Sequence, residues 1–269
     1  MTTTSRFHRS LAVAATAMLV VGLGACGDDD DDAAAASGDD EPTSETTAAD
    51  SAESGGSDTE AYCAAEVTFE QISTQTGGPD EDPVASAQTL LDAVSDVRPL
   101  APEEVAPQFD EAIAILEGVV GSGDPSALEG FDPMPIHQFD LQHCDWSVTD
   151  VTAADYSFDG LPETLDAGVH SFEVLNEGAE PHVMLVFRKA DGVTDSWDDI
   201  LAGDFTTTDK AEGVTAAFAP PGAPGYGVAD LKAGEYLVFC PIPTGSGMET
   251  EGDGPPHFMN GMRQELTVE

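Results

Sequence analysis

Four side chains in the second half of the chain, His182, Cys240, His257 and Met262, are of the types that together hold a copper ion. A soft thiolate, two imidazoles and a weak thioether suit both oxidation states of copper, because a trigonal His₂Cys site with a long axial Met asks for little rearrangement. Such ligands must come from separate parts of a rigid body. His182 follows the turn-rich NEGAEP, Cys240 closes the apolar run GEYLVFC, and His257 and Met262 flank four residues just ahead of the last apolar run. Sixteen residues, PIPTGSGMETEGDGPP, separate Cys240 from His257, and a segment this long, acidic and Gly-rich must be folded back by other contacts.

The elements that must position these residues have a period of two. WSVTDVTAADYSF, GVHSFEVLNEG, HVMLVFRK, GEYLVFC and MRQELTVE read as strands separated by Gly, Pro and Asn turns. TDSWDDILAGD reads as a short helix capped by Thr194 or Ser196 and stopped at Gly203, and AFAPPGAPGYG as a rigid loop. Strands at this spacing imply a β-sandwich over residues 146–269.

Residues 61–145 have a helical period instead. Asp82 is an N-cap with Pro83 at the first helical position, ahead of Ala87, Leu90, Leu91, Val94 and Val97 on one face. A second stripe runs through Val105, Phe109, Ala112, Ile113, Leu116 and Val120.

The start of the chain reads as a targeting segment. Arg6 and Arg9 precede LAVAATAMLVVGLGA, which is short for a membrane span and ends at Cys26. LGAC matches the box at which bacterial lipoproteins are cleaved and acylated, so residues 1–25 read as a signal peptide and Cys26 as the lipidated first residue. Each buried acyl CH₂ contributes about 0.8 kcal/mol to anchoring. A plain signal peptide cut near Ala25 is the alternative. Residues 27–60 carry no positive charge, no aromatic and no large aliphatic side chain, and read as a disordered acidic tether with an end-to-end distance of ~30 Å.

Eight Lys and Arg against 52 Asp and Glu give a net charge of −44, which excludes nucleic acid as a partner of the folded part. The charge is dispersed along the chain, as surface solvation would have it, rather than gathered into one docking face.

Of the four cysteines, Cys26 is assigned to lipid, leaving the odd set Cys63, Cys144 and Cys240 in an exported protein. Cys63 opens the helical region and Cys144 closes it, so a disulfide between them is expected, with Cys240 left over. Pairing of Cys240 with Cys63 or Cys144 is the competing possibility, and it would remove the thiolate.

Residues 146–269 resemble a cupredoxin. FEVLNEGAEPH resembles the segment delivering the first His, AGEYLVFC the strand delivering the Cys, and HFMNGM has the His-x4-Met spacing of the plastocyanin type. The mature chain resembles actinobacterial lipoproteins in which a Cys-bracketed helical segment precedes a cupredoxin-like domain. The resemblance implies a small α-helical domain followed by an all-β, Greek-key cupredoxin-like sandwich. It also implies one type 1 copper held by His182, Cys240, His257 and Met262, with outer-sphere electron transfer through the exposed edge of His257. The sixteen residues between Cys240 and His257 depart from the family, which usually puts only a few residues between the Cys and the second His.

The expected protein is lipid-anchored to the outer face of the plasma membrane and serves electron transfer or copper handling with a protein partner. It is not expected to be an enzyme, since a fully ligated centre leaves no open position for substrate. Each ligand has an ordinary alternative: a buried thiol, a hydrogen-bonded strand-start His, a turn His, a core Met. Together these give the rival reading, a copper-free cupredoxin-like interaction module at the cell surface. His137, His143 and His170 lack partners at ligand spacing and read as structural.

Overall fold

The computed structural model describes residues 54–77, 81–203 and 208–269. The expected signal peptide, the expected lipidation site Cys26 and the expected tether as far as residue 53 lie outside the described residues. No described helix is long and apolar enough to cross a membrane.

The chain is a helical part followed by a β-sandwich, as the sequence implies. Helices α1 (Ser54–Gln75), α2 (Pro83–Val97), α3 (Ala106–Ser122) and α4 (Met134–His143) come first. α1 begins seven residues before the boundary placed at 61, inside the segment assigned to the tether. Extending an existing helix costs far less than nucleating one, so a packed body starting near Tyr62 carries polar residues ahead of it into helix.

The Asp82 carboxylate caps α2 by accepting the Val84 and Ala85 N–H groups. Val94, Val97, Phe109, Leu116 and Val119 are buried in one cluster with Tyr62. Cys63 and Cys144 are joined, with Cα atoms 5.7 Å apart, which removes the alternative pairings of Cys240.

The sandwich comprises β1 (Ser147–Ala154), β2 (Ser157–Asp159), β3 (Thr164–Leu165), β4 (Gly168–Asn176), β5 (His182–Lys189), β6 (Ala211–Ala219), β7 (Pro224–Leu231), β8 (Gly234–Phe239) and β9 (Arg263–Val268). One sheet has the order β2-β1-β4-β7 and the other β3-β9-β8-β5-β6. Each contains one parallel pair, β1 with β4 and β3 with β9.

Between β5 and β6, Ser196 caps the short helix α5 (Trp197–Leu201), its hydroxyl accepting the Asp199 N–H. Trp197 and Ile200 cover the outer face of β8 by packing on Leu237 and Phe239. Tyr236, Val238 and Cys240 therefore point the other way, into the sandwich core. β5 alternates in the same manner, with His182, Met184 and Val186 all buried. Strand parity alone thus sends both His182 and Cys240 inward.

The stretch 217–227, expected as a rigid loop, is instead the end of β6, a turn over 220–223 and the start of β7. Its small residues are there for close approach rather than for a loop. A Cβ on Gly225 would stand 1.9 Å from Phe218 O, and one on Gly227 would stand 2.8 Å from Thr215 Oγ1. Gly and Pro signal turns in most sequences, which hides strands whose backbones must pass this tightly.

The helical part packs on the sandwich where the two sheets meet, α1 against β6 of the five-stranded sheet and β7 of the four-stranded one. His137 of α4 stacks on Tyr226 of β7, ring centroids 3.6 Å apart, and its Nε2 meets Glu173 Oε1 at 2.8 Å.

Candidate metal centre

Three of the four predicted ligands converge. His182 Nδ1 and His257 Nδ1 are 3.1 Å apart, and Cys240 Sγ lies 3.4 Å from His257 Nδ1. Among the described residues, no other three His, Cys, Asp or Glu side chains bring ligand atoms within 4.8 Å of one another. All three are fully buried. Met262, also fully buried, lies in the same core cluster as Cys240. Its backbone joins the two ligands: Cys240 N–H donates to Met262 O at 3.1 Å, and Met262 N–H to His257 O at 3.2 Å.

The long segment between Cys240 and His257 closes on itself. His257 N–H donates to Ile242 O at 2.9 Å, and Phe258 N–H to Cys240 O at 2.9 Å. Pro243 and Pro256 form a bridge, and the Thr244 N–H and hydroxyl both donate to Pro255 O. The insertion is therefore a side hairpin. Its base holds Ile242 beside His257 as a short ligand loop would.

On the opposite side, Asn176 organises the turn before His182. Its amide donates to Glu180 O and Ala219 O, and its oxygen accepts the Gly178 N–H. A Cβ on Gly178 would lie 2.5 Å from Asp155 Oδ1 and 2.8 Å from His182 Nε2, so glycine is needed for the turn to press on that pair.

Sequence reasoning missed the carboxylates behind the rings. His182 Nε2 is 3.0 Å from Asp155 Oδ1, and His257 Nε2 is 3.0 Å from Glu180 Oε2. Glu180 Oε2 also accepts the Gly245 N–H, and Glu180 Oε1 accepts the Tyr156 hydroxyl, whose ring lies 4.5 Å from that of His257. Glu180 stands two residues before His182, close enough to have been suspected; nothing in the sequence tied Asp155 or Tyr156 to the site. The edge of His257, expected to be exposed, is instead buried and closed by Glu180. The hairpin base and the Glu180 turn fold over it from both sides.

The charges follow from these contacts. Burial pushes the Cys240 thiol up to about 11, against the Val183 and Ile242 N–H groups that favour its thiolate. Burial also lowers both histidines, with the neighbouring ring adding to the effect at His182, so both are neutral near pH 7. For Glu180, burial works upward but is outweighed by the Gly245 N–H, the Tyr156 hydroxyl and His257, which leaves it below its ordinary range. Asp155 is likewise held low, burial being outweighed by the Ala179 N–H and His182.

An ionised carboxylate only accepts, so each Nε2 carries its ring's single hydrogen and each Nδ1 is left bare. Two lone pairs then face each other at 3.1 Å in a dry pocket. The Cys240 S–H can serve only one of them. A cation that ligates all three atoms satisfies the set. Nitrogens at ~2.0 Å and sulfur at ~2.3 Å from a common ion stand roughly 3.1 to 3.7 Å apart for bond angles of about 100° to 120°. The two measured separations fall in that window.

His137, His143 and His170 stand apart from the centre, held by Glu173, Phe139 O and Asp166 O respectively.

No known protein family's profile matches the chain, and no curated protein matches it. Among solved structures, the chain is similar to dithionite-reduced auracyanin from Roseiflexus castenholzii, at 18% identity over 46% of this chain and 97% of that one, with a TM-score of 0.32. It is also similar to auracyanin A, a "blue" copper protein from Chloroflexus aurantiacus, at 16% identity over 45% and 98%, with a TM-score of 0.30. A multicopper oxidase from Pediococcus acidilactici matches at 12% over 47% of this chain and 27% of that one, with a TM-score of 0.27. The case for a metal rests on the side chains themselves.

Proposed function

We propose that this chain is a cupredoxin-like protein that binds one copper ion and passes single electrons. The observation that carries the reading is the pair of bare Nδ1 atoms 3.1 Å apart, with the buried Cys240 sulfur 3.4 Å from that of His257. His182, Cys240 and His257 would hold the ion, with Met262 as the weak fourth ligand. Copper supplies a one-electron couple. The chain supplies a preformed cage: Val183 and Ile242 donate N–H groups to the sulfur, and the hydrophobic core keeps water from it.

Electron transfer fits better than copper delivery. The three ligands are buried under the hairpin base and the Glu180 turn, an arrangement that retains an ion rather than handing it on. With four protein ligands and no open position, substrate turnover is not expected. Tyr156, which packs on His257 and reaches partial exposure, offers the electron a way to the surface. The further reading is of a lipoprotein anchored through Cys26 outside the plasma membrane, exchanging electrons with a redox protein there.

The test is the visible spectrum of protein lacking residues 1–26, titrated with Cu(II) beside Cys240→Ser. An intense thiolate-to-copper band that is lost in the variant is the expected result. A colourless wild type with one free thiol would sink the copper reading and favour a copper-free interaction module.

A further inference from the structure

Resting on the copper reading above, we propose that Asp155 and Glu180 are positioning residues that bias the centre toward Cu(II) over Cu(I) and so lower its potential. Each presents a carboxylate oxygen 3.0 Å from the Nε2 of one ligand ring. Each is itself fixed by the backbone, Asp155 Oδ2 accepting the Ala179 N–H and Glu180 Oε2 the Gly245 N–H. Three consequences follow.

The first is geometric. A carboxylate that accepts Nε2–H dictates the tautomer and turns Nδ1 toward Cys240, so the cage is set before any ion arrives. The second is electronic, since a ring that donates to a carboxylate is a more basic ligand. The third is electrostatic. Two negative charges stand directly behind the imidazoles, and the attraction they exert on an ion scales with its charge, so a divalent ion gains about twice what a monovalent one does. Both carboxylates remain partly exposed, at 31% and 19%, which keeps them hydrated enough to stay ionised while the rings they face are dry.

Glu180→Gln separates charge from positioning. An amide oxygen can accept from both Gly245 and His257 while its NH₂ meets the Tyr156 oxygen, so every contact is kept and only the charge is lost. Asp155→Asn removes the charge behind His182 but also one contact, because His182 and the Ala179 N–H use different Asp155 oxygens and an amide has only one, so Glu180→Gln is the cleaner probe. Glu103→Gln, in the exposed turn ahead of α3, controls for overall charge. Cu(II) and Cu(I) affinities are measured by competition, and the midpoint potential by redox titration.

In copper-loaded Glu180→Gln and Asp155→Asn, Cu(II) binding is expected to weaken about tenfold or more, with Cu(I) binding less affected. The potential rises by ~59 mV for each tenfold difference between the two. Glu103→Gln leaves it in place. An unchanged potential in variants that still show the visible band overturns this inference while leaving the copper reading intact. A wild type that takes up no copper overturns both. Should the variants not fold, long-range ¹H–¹⁵N spectra of ligand-free wild type decide: hydrogens on both Nε2 atoms support the inference, and one on either Nδ1 sinks it.

Discussion

His257 donates its backbone N–H to Ile242 O at 2.9 Å, so two residues fifteen positions apart are neighbours at the base of a closed hairpin. The ligand loop is thereby short in space although long in sequence. Replacing residues 246–253 with Asn-Gly keeps Thr244, Gly245, Gly254 and Pro255, which carry the base contacts. Loop-closure entropy changes by only ~0.6 kcal/mol per halving of length. We expect the shortened protein to bind copper with the same visible band and unchanged affinity; loss of the band would show that the hairpin tip, not its base, holds His257.

A second expectation concerns pH. Under the seam between helices and sandwich, the Tyr62 hydroxyl donates to Asp140 Oδ1 at 2.7 Å, and Glu66 is buried nearby with one oxygen unpartnered. Burial pushes the Asp140 carboxyl up to about 7, against the Tyr62 hydroxyl and the charge of His143. Burial, then the charges of Asp140 and Glu70, keep Glu66 well above the ordinary range. The folded state therefore holds protons that the unfolded chain has released above ~4. Stability falls as pH rises from about 4 to about 7, by on the order of 2 to 4 kcal/mol for Asp140. Asp140→Asn, which can still accept from Tyr62, should flatten much of this dependence and raise stability at neutral pH. Denaturant unfolding at several pH values reads it directly, and an identical slope in the variant would rule Asp140 out.

The Cys63–Cys144 bridge closes a span of 81 residues around the helical part. Replacing both cysteines with Ala should cost about 4 kcal/mol in the chain-entropy picture. The sandwich core and its centre are built without it, so the copper band should persist at temperatures where the helical signal has melted. Coincident loss of both signals would mean that the two parts unfold as one unit.

Lipid anchoring through Cys26 has its own test. In full-length protein expressed in an actinobacterial host, Cys26→Ala should abolish incorporation of a labelled fatty acid and shift the protein out of the membrane fraction. Unchanged labelling would place the acyl chain elsewhere or remove it from the reading.

Much was legible in the sequence because it depends on near neighbours. Asp82 could be read as a cap and Ser196 as one of two candidates with Thr194, since a side chain that accepts a helix's first N–H groups sits within three residues of them. The alternation of GEYLVFC could be read as a strand, and its parity carries Cys240 inward. The types of the four ligands were likewise plain, and three of them meet. β6 and β7 were obscured because their glycines answer to contacts between strands rather than to turns.

The sequence by itself therefore determined the candidate ligand types, the helix-then-strand order and which way the residues of its legible strands face, all of which follow from residue identity and periods of a few residues. Only the tertiary structure decided that the sixteen residues between Cys240 and His257 fold out of the way, that the His257 edge is closed, and that a carboxylate stands behind each ring. Asp155 and His182 are 27 positions apart and Glu180 and His257 are 77 apart, and no local pattern encodes either distance. Packing of two sheets, with Asn176 and Gly178 pinning the turn between them, brings those pairs to 3.0 Å.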